Sequence, residues 1–330
     1  MMHSFPRSTP ISERCKRLLD LVSPDDSLAI IINADPDAIA SALALKRFFW
    51  HKVRKTLIFH INPIQRADNI ALVKLLRIDL RPIKKLRHDQ FTRTAVVDSQ
   101  PHHNALFEKH RYDAIIDHHP IGPLSTAPFV DVKEEYGALS TLMTEYLRAA
   151  KIKPSPKLAT ALLYGIKTDT DNFARHATTQ DINAFRYLYS FANINIIKKI
   201  ESSELNRKTL QSIRKAIDNL RFHKDIVFIH MDRVSSPDDL VIITDFFLKM
   251  VEASWCIVSG LHGKNLIIIL RYAGFRLDAG KTANKLFGPW GTAGGHKEAA
   301  RAEIPLQALS DIVQGESGLG QFVWERIEAL

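Results

Sequence analysis

Cysteine is scarce: the 330 residues hold two, Cys15 and Cys256, far apart and in no CxxC pair. That usage argues against a disulfide framework and a cysteine-built zinc site, and the thiols read as buried or idle. Long apolar runs are missing as well. No uninterrupted stretch approaches the ~20 residues that span a bilayer, and the longest, near Leu266 to Leu270, has strand length. The N-terminal segment MMHSFPRSTPISERCKRLLDLV carries charges where a signal peptide needs an apolar core. A cytoplasmic protein with no membrane partner is therefore expected. Internal repeats and low-complexity tracts are also lacking.

What is present is ordinary for a globular chain: 45% hydrophobic and 25% charged residues, at a length that suits about two domains. Lys and Arg number 45 against 36 Asp and Glu, a net +9. An excess of this kind favours anionic partners such as nucleotides, polyphosphate or nucleic acid, although a solvated basic face gives the same number.

Short apolar runs alternate with helical patterns through the first half. Strands are expected at Leu28–Asn33, Lys55–Ile61, Thr94–Asp98 and Tyr112–Asp117, with helices at Ala38–Trp50, Asn69–Leu76, Ala138–Ala150 and Pro156–Ile166. Buried runs between helices predict a parallel, doubly wound α/β sheet covered on both faces. Residues 194–221 switch to helical spacing with many charges and read as a helical connector. New strand candidates follow at Asp225–Met231, Ser254–Leu261 and Asn265–Tyr272, with a helix at Asp238–Val251. The expected organisation is a first domain over 1–193, the connector 194–221, and a smaller α/β domain over 222–330.

Asp35 and Asp37, in IIINADPDAIAS, directly follow an apolar strand. Ligands bind at the carboxyl ends of strands in open parallel sheets. Two carboxylates there repel unless a cation or proton compensates, although an acidic turn that caps a helix would also place Asp here. The segment does not stand alone. Asp98 ends AVVD, Asp117 ends AIID and is followed by His118 and His119, and Asp169 ends the run LLYGIKTD. One sheet edge can collect all of them. Carboxylates with one imidazole suit Mn²⁺ or Mg²⁺, and two such ions about 4 Å apart would activate water and clamp a phosphoryl oxygen.

D-H-H at Asp117 to His119, D-x-D at Asp35 and Asp37, the strand-end Asp98 and T-D-T at Thr168 to Thr170 together resemble the motifs of DHH phosphoesterases. GGHKEAA at Gly294 to Ala300 is similar to the domain that usually follows in that family. The resemblance implies a metal-dependent phosphoesterase that uses one or two Mn²⁺ or Mg²⁺ ions per chain. Asp98 would bridge two ions, Asp35 would hold the first, and Asp37, His118 and Asp169 the second. His119 would face the substrate phosphate and Asp117 would orient the histidines. Gly294, Gly295, His296 and Arg271 would bind substrate, in a cleft between the domains. A nucleotide or short oligonucleotide is the implied substrate; inorganic pyrophosphate or polyphosphate is the alternative, as is nucleotide binding without turnover. Homodimerisation stays open.

The chain departs from the family where a His usually stands four residues before Asp35: Ile31 is there instead. Asn33 is the nearby substitute, His60 could also substitute although a surface or core histidine is the favoured reading, and Asp171, standing where Gly is common, either adds a ligand or caps the following turn. Trp290 could stack on a base or pack under its loop, and Arg301 follows the alanines where Gly is usual.

Overall fold

The computed structural model describes residues 9–122, 126–203, 207–313 and 315–328. The chain divides into two compact units, Met1–Glu204 and Leu205–Leu330.

In the first unit the order is α1 (Ile11–Leu19), β1 (Ser27–Ile32), α2 (Pro36–Phe48), β2 (Lys55–His60), α3 (Ala67–Leu75), β3 (Leu80–Pro82), β4 (Arg93–Val97), α4 (Ala105–Glu108), β5 (Ala114–Asp117), β6 (Phe129–Val132), α5 (Leu139–Ala149), α6 (Pro156–Asp169), α7 (Thr179–Tyr189) and α8 (Ile194–Glu201). The strands form one six-stranded sheet in the order β3-β2-β1-β4-β5-β6, parallel at every pairing. The apolar runs of the sequence become strands because a parallel sheet is buried on both faces. Along β1 the alternation is visible: Leu28, Ile30 and Ile32 enter the core beneath α2, α5 and α6, while Ile31 joins Val96, Phe107, Tyr112 and Ile115 on the other face. The strand order reverses between β1 and β4, which opens a crevice at their carboxyl ends.

Residues 1–26 carry no signal in the sequence, yet α1 is tied down. Arg14 pairs with Asp131 of β6 at 3.0 Å, and the Tyr146 hydroxyl donates to the same carboxylate at 2.7 Å, all three groups buried.

The second unit contains α9 (Arg207–Asp218), β7 (Leu220–His223), β8 (Ile226–Arg233), α10 (Pro237–Phe247), β9 (Trp255–His262), β10 (Asn265–Tyr272), α11 (Ala279–Phe287), β11 (Thr292–Gly295), β12 (Ala299–Pro305) and α12 (Leu319–Ile327). Its sheet runs β11-β12-β10-β9-β8-β7, antiparallel except between β8 and β9, where α10 makes the crossover. Helices cover both faces: Leu266, Ile268 and Leu270 pack with α11 and α12, and Ile267 and Ile269 with α10.

Of the stretch read as a connector, α8 buries Ile197 and Ile200 in the core of the first unit, and α9 buries Ala216 in that of the second. The α10 helix stops at Phe247, short of the expected Val251, which is fully exposed. Both cysteines are free and buried, and burial pushes the Cys15 thiol up to about 12. Among the described residues no helix is long and apolar enough to cross a membrane.

Candidate metal centre

The parallel topology delivers the acidic residues to one edge. Asp35 caps α2 just past β1, its Oδ1 accepting from the Ala38 amide at 2.8 Å, and Asp37 follows in the first turn. Asp98 follows β4 and takes a left-handed backbone, φ +60°, which costs a non-glycine residue about 1–2 kcal/mol. Its amide still donates to the Ile116 carbonyl at 2.9 Å, so the ladder holds the turn in place. Asp117 closes β5. Asp169 is the last residue of α6, so the fourth carboxylate comes from a helix end, not a strand end.

Asp37, Asp98 and Asp169 converge on the His118 imidazole, while Asp35 belongs to none of the three-ligand groups among the described residues. Its Nε2 lies 3.3 Å from Asp98 Oδ1, 3.2 Å from Asp169 Oδ2 and 4.0 Å from Asp37 Oδ2. Nδ1 donates to the Tyr136 carbonyl at 3.1 Å, which turns Nε2 toward the carboxylates. Asp37 is fully buried, and both its oxygens accept backbone amides from the start of α5: Leu139 at 2.6 Å and Ser140 at 2.8 Å. Those amides are unpaired by any helix bond, so one carboxylate anchors α5 and reaches the cluster.

The electrostatics ask for a cation. Burial, with Asp98 and Asp169 nearby, raises Asp35 well above the usual carboxylate range. Burial and the same type of repulsion, from Asp169 and Asp98, push Asp37 up to about 8. Asp98 is raised mainly by burial. Burial alone would lower His118, but Asp169 and Asp98 drive it well above its ordinary value. Asp98 Oδ1 and His118 Nε2 are sealed from solvent and find no partner in hydrogen-bonding geometry. A divalent ion satisfies both atoms and removes the repulsion. Among the described residues, three sets have ligand atoms all within 4.8 Å of one another: Asp37, His118 and Asp169; Asp98, His118 and His119; and His103, Asp117 and His119. Carboxylate oxygens with imidazole nitrogen fit Mn²⁺ or Mg²⁺.

Behind this cluster sits a second layer. Asp117 is fully buried. Its Oδ1 accepts from the His118 amide and from His119 Nδ1, each at 2.8 Å, and Oδ2 accepts from Gln100 Nε2 at 2.7 Å. Asp117 therefore orients one imidazole, that of His119; the His118 ring is held by Tyr136. Despite burial, the bonds from His119 and Gln100 keep Asp117 below the usual range, and the pairing with Asp117 raises His119. His119 remains 46% exposed, so its far side faces solvent.

The other sequence candidates in this unit stay apart from the three-ligand groups. Asn33 is exposed, and His60 Nδ1 is engaged with the Asn62 carbonyl at 2.6 Å. Ile31 is fully buried core. Asp171 is 56% exposed and faces Arg175 at 3.8 Å. It starts three successive left-handed residues, Asp171, Asn172 and Phe173, which explains why glycine would suit its position.

In the second unit, Gly294 and Gly295 end the edge strand β11, with Gly295 at φ +152°. His296 opens the turn to β12, its amide donating to the Ala299 carbonyl at 2.8 Å. Gly280 of α11 packs so closely on Gly295 that a side chain there would meet the Gly295 carbonyl at 2.5 Å. Thr292, Ala293, Gly294, Arg301 and Glu303 line an open groove of about 450 Å³. Arg271 donates to Asp245 of α10 at 2.8 Å and is largely buried. Trp290 packs edge-on against Phe322 with the Arg326 guanidinium over its ring at 4.3 Å, so its packing reading holds.

Sequence reasoning missed Gln100, His103 and Gly165. Gln100 Nε2 also donates to the carbonyls of His119 and Pro120, at 3.2 and 3.1 Å, which fixes the loop carrying the histidines. The His pair right after the strand-end Asp98 was the available signal for His103. A side chain on Gly165 of α6 would meet Ser140 Oγ at 2.5 Å and Asp37 Oδ1 at 3.0 Å. Gly165→Ala is therefore expected to cost about 1–3 kcal/mol through overpacking and to weaken metal binding. Thermal melts and metal titration check this; an unchanged Tm with unchanged metal affinity would remove Gly165 from the site.

Comparison with known proteins gives four findings. Residues 27–166 match the DHH family, N-terminal domain. An uncharacterized protein of Methanocaldococcus jannaschii is 37% identical over 299 residues, covering 90% of this chain, while the chain spans 61% of that relative's length. An exopolyphosphatase-related protein from Bacteroides fragilis has the same fold with a TM-score of 0.74 at 16% identity, covering 98% of each chain. RecJ in complex with Mn²⁺ from Thermus thermophilus follows at a TM-score of 0.55 and 13% identity, covering 97% of this chain and 54% of that one.

Proposed function

Residues 27–166 being a DHH-family N-terminal domain, we propose that this chain is a metal-dependent phosphoesterase that hydrolyses nucleotides or short oligonucleotides. The observation that carries it is the sealed pair Asp98 Oδ1 and His118 Nε2, 3.3 Å apart yet neither in hydrogen-bonding geometry, among carboxylates that burial and mutual repulsion keep from ionising freely. Asp37, Asp98, His118 and Asp169 would hold one Mn²⁺ or Mg²⁺, and Asp35 with Asp98 a second. A divalent cation so placed supplies Lewis acidity, lowering the pKa of water and offsetting phosphoryl charge.

The protein's own side chains do the rest. His119, whose Nδ1 donates to Asp117 and so leaves Nε2 facing outward, donates a hydrogen bond to a phosphoryl oxygen and stabilises its growing charge; the pairing with Asp117 favours its protonated form. Asp117 and Gln100 hold that ring before substrate arrives. In the second unit taken by itself, Gly294 has open space beside its backbone, where an anion could approach the chain closely.

A Mn²⁺-supplemented hydrolysis screen over dinucleotides, phosphoadenosine phosphate and inorganic pyrophosphate tests this. Metal-dependent turnover of the nucleotide substrates is expected. Turnover of pyrophosphate alone would move the assignment to a pyrophosphatase, and no turnover with no bound metal would refute it.

A further inference from the structure

We infer that His103 is a substrate-contacting residue whose Nε2–H donates to a phosphoryl oxygen beside His119; this rests on the phosphoesterase reading above. His103 closes a short 3₁₀ turn, Pro101–His103, five residues after Asp98. Its Nδ1 accepts from the Gln100 amide at 3.2 Å and lies 3.1 Å from Ser99 Oγ. A ring that accepts at Nδ1 carries its proton on Nε2, so the free nitrogen is a donor and not a metal ligand.

The ring is placed for that task. It stands edge-to-face on His119 with centroids 5.5 Å apart, and one of its nitrogens lies within 4.8 Å of ligand atoms on Asp117 and His119. His102 backs it at 4.4 Å between ring centroids, and Gly122 packs on the His102 ring with no room for a side chain. Gln100 braces both sides: its amide fixes His103 and its side chain fixes Asp117, which fixes His119. Two imidazoles are thus pinned by one residue and share one exposed surface. A tetrahedral phosphoryl group has oxygens enough to accept from both, and a donor bonding to an anion is among the stronger hydrogen bonds.

His103→Asn separates fold from function. Its Oδ1 can keep the inner acceptor for Gln100 and Ser99, while the outer donor is lost; His103→Gln restores a donor at the Nε2 end. Binding of inorganic phosphate to the Mn²⁺-loaded protein is measured by calorimetry, with metal content and Tm alongside. His103→Asn should weaken phosphate by about tenfold or more, the scale for a hydrogen bond to a charged group, with metal and Tm unchanged. His103→Gln should recover part of the loss. KM for the hydrolysed substrate should rise more than kcat falls. Unchanged phosphate affinity in His103→Asn would overturn the inference, as would loss of metal from that variant. If the wild type binds phosphate through His103 but hydrolyses nothing in the screen, the functional reading fails and this one stands.

Discussion

Asp98→Asn should stop hydrolysis while leaving the protein folded. The substitution is isosteric, and Asn tolerates the left-handed backbone, φ +60°, that Asp98 adopts. The local ladder bond from its amide to Ile116 involves only backbone and survives. What is lost is the anionic oxygen facing His118 Nε2 and, in the proposed arrangement, the ligand shared by two ions. The rate should fall by about 10³-fold or more, on the scale of removing preorganised charge stabilisation from a transition state. Metal per chain should fall with it. Without metal the variant should melt no lower than the wild type, because burial already penalises the Asp98 carboxylate. Atomic-emission metal analysis, initial rates and melts in EDTA read the three effects; a variant retaining the wild-type rate would remove Asp98 from the centre.

The second large effect is on stability against pH. Asp37 is raised from 3.8 to about 8, so the folded state binds its proton more tightly than the unfolded state does. A raised group stabilises the fold at low pH, and that contribution is lost as pH climbs toward the folded value. In EDTA the Tm should therefore fall between pH 4 and about 8. Asp35, Asp98 and His118 are raised as well and act in the same direction. Asp117 is lowered and acts oppositely, but its window lies below the ordinary value of 3.8. Mn²⁺ binds the deprotonated ligands, so its stabilisation should grow as pH rises. At a hundredfold excess over Kd the gain is about 2.7 kcal/mol, or roughly 5–10 °C in Tm for a domain of this size. Scanning fluorimetry with and without Mn²⁺ checks this; parallel curves from pH 5 to 8 would contradict it.

The strands that carry the centre were legible because β1, β4 and β5 are apolar runs ending in Asp or leading to it, and parallel topology puts such ends together. The supporting layer was not legible. Asp37 is held by amides of Leu139 and Ser140, about a hundred residues away, and backbone donors leave no mark on composition. The Tyr136 carbonyl that turns His118 is equally silent. Asp131 breaks the hydrophobic pattern of β6, a charge tolerated inside because Arg14 and the Tyr146 hydroxyl meet it there. TAGG reads as a loop, yet it becomes the strand β11 by pairing with β12. Ile31 could be read as a missing ligand, but its place in the core on the far face from Ile30 and Ile32 follows only from the sheet's alternation.

Anomalous diffraction at the manganese edge, from crystals grown with Mn²⁺, measures the central claim directly. The expected result is a peak bounded by Asp37, Asp98, His118 and Asp169 at metal–ligand distances. Density showing those four side chains bonded only to one another, with manganese absent or bound elsewhere, would contradict it.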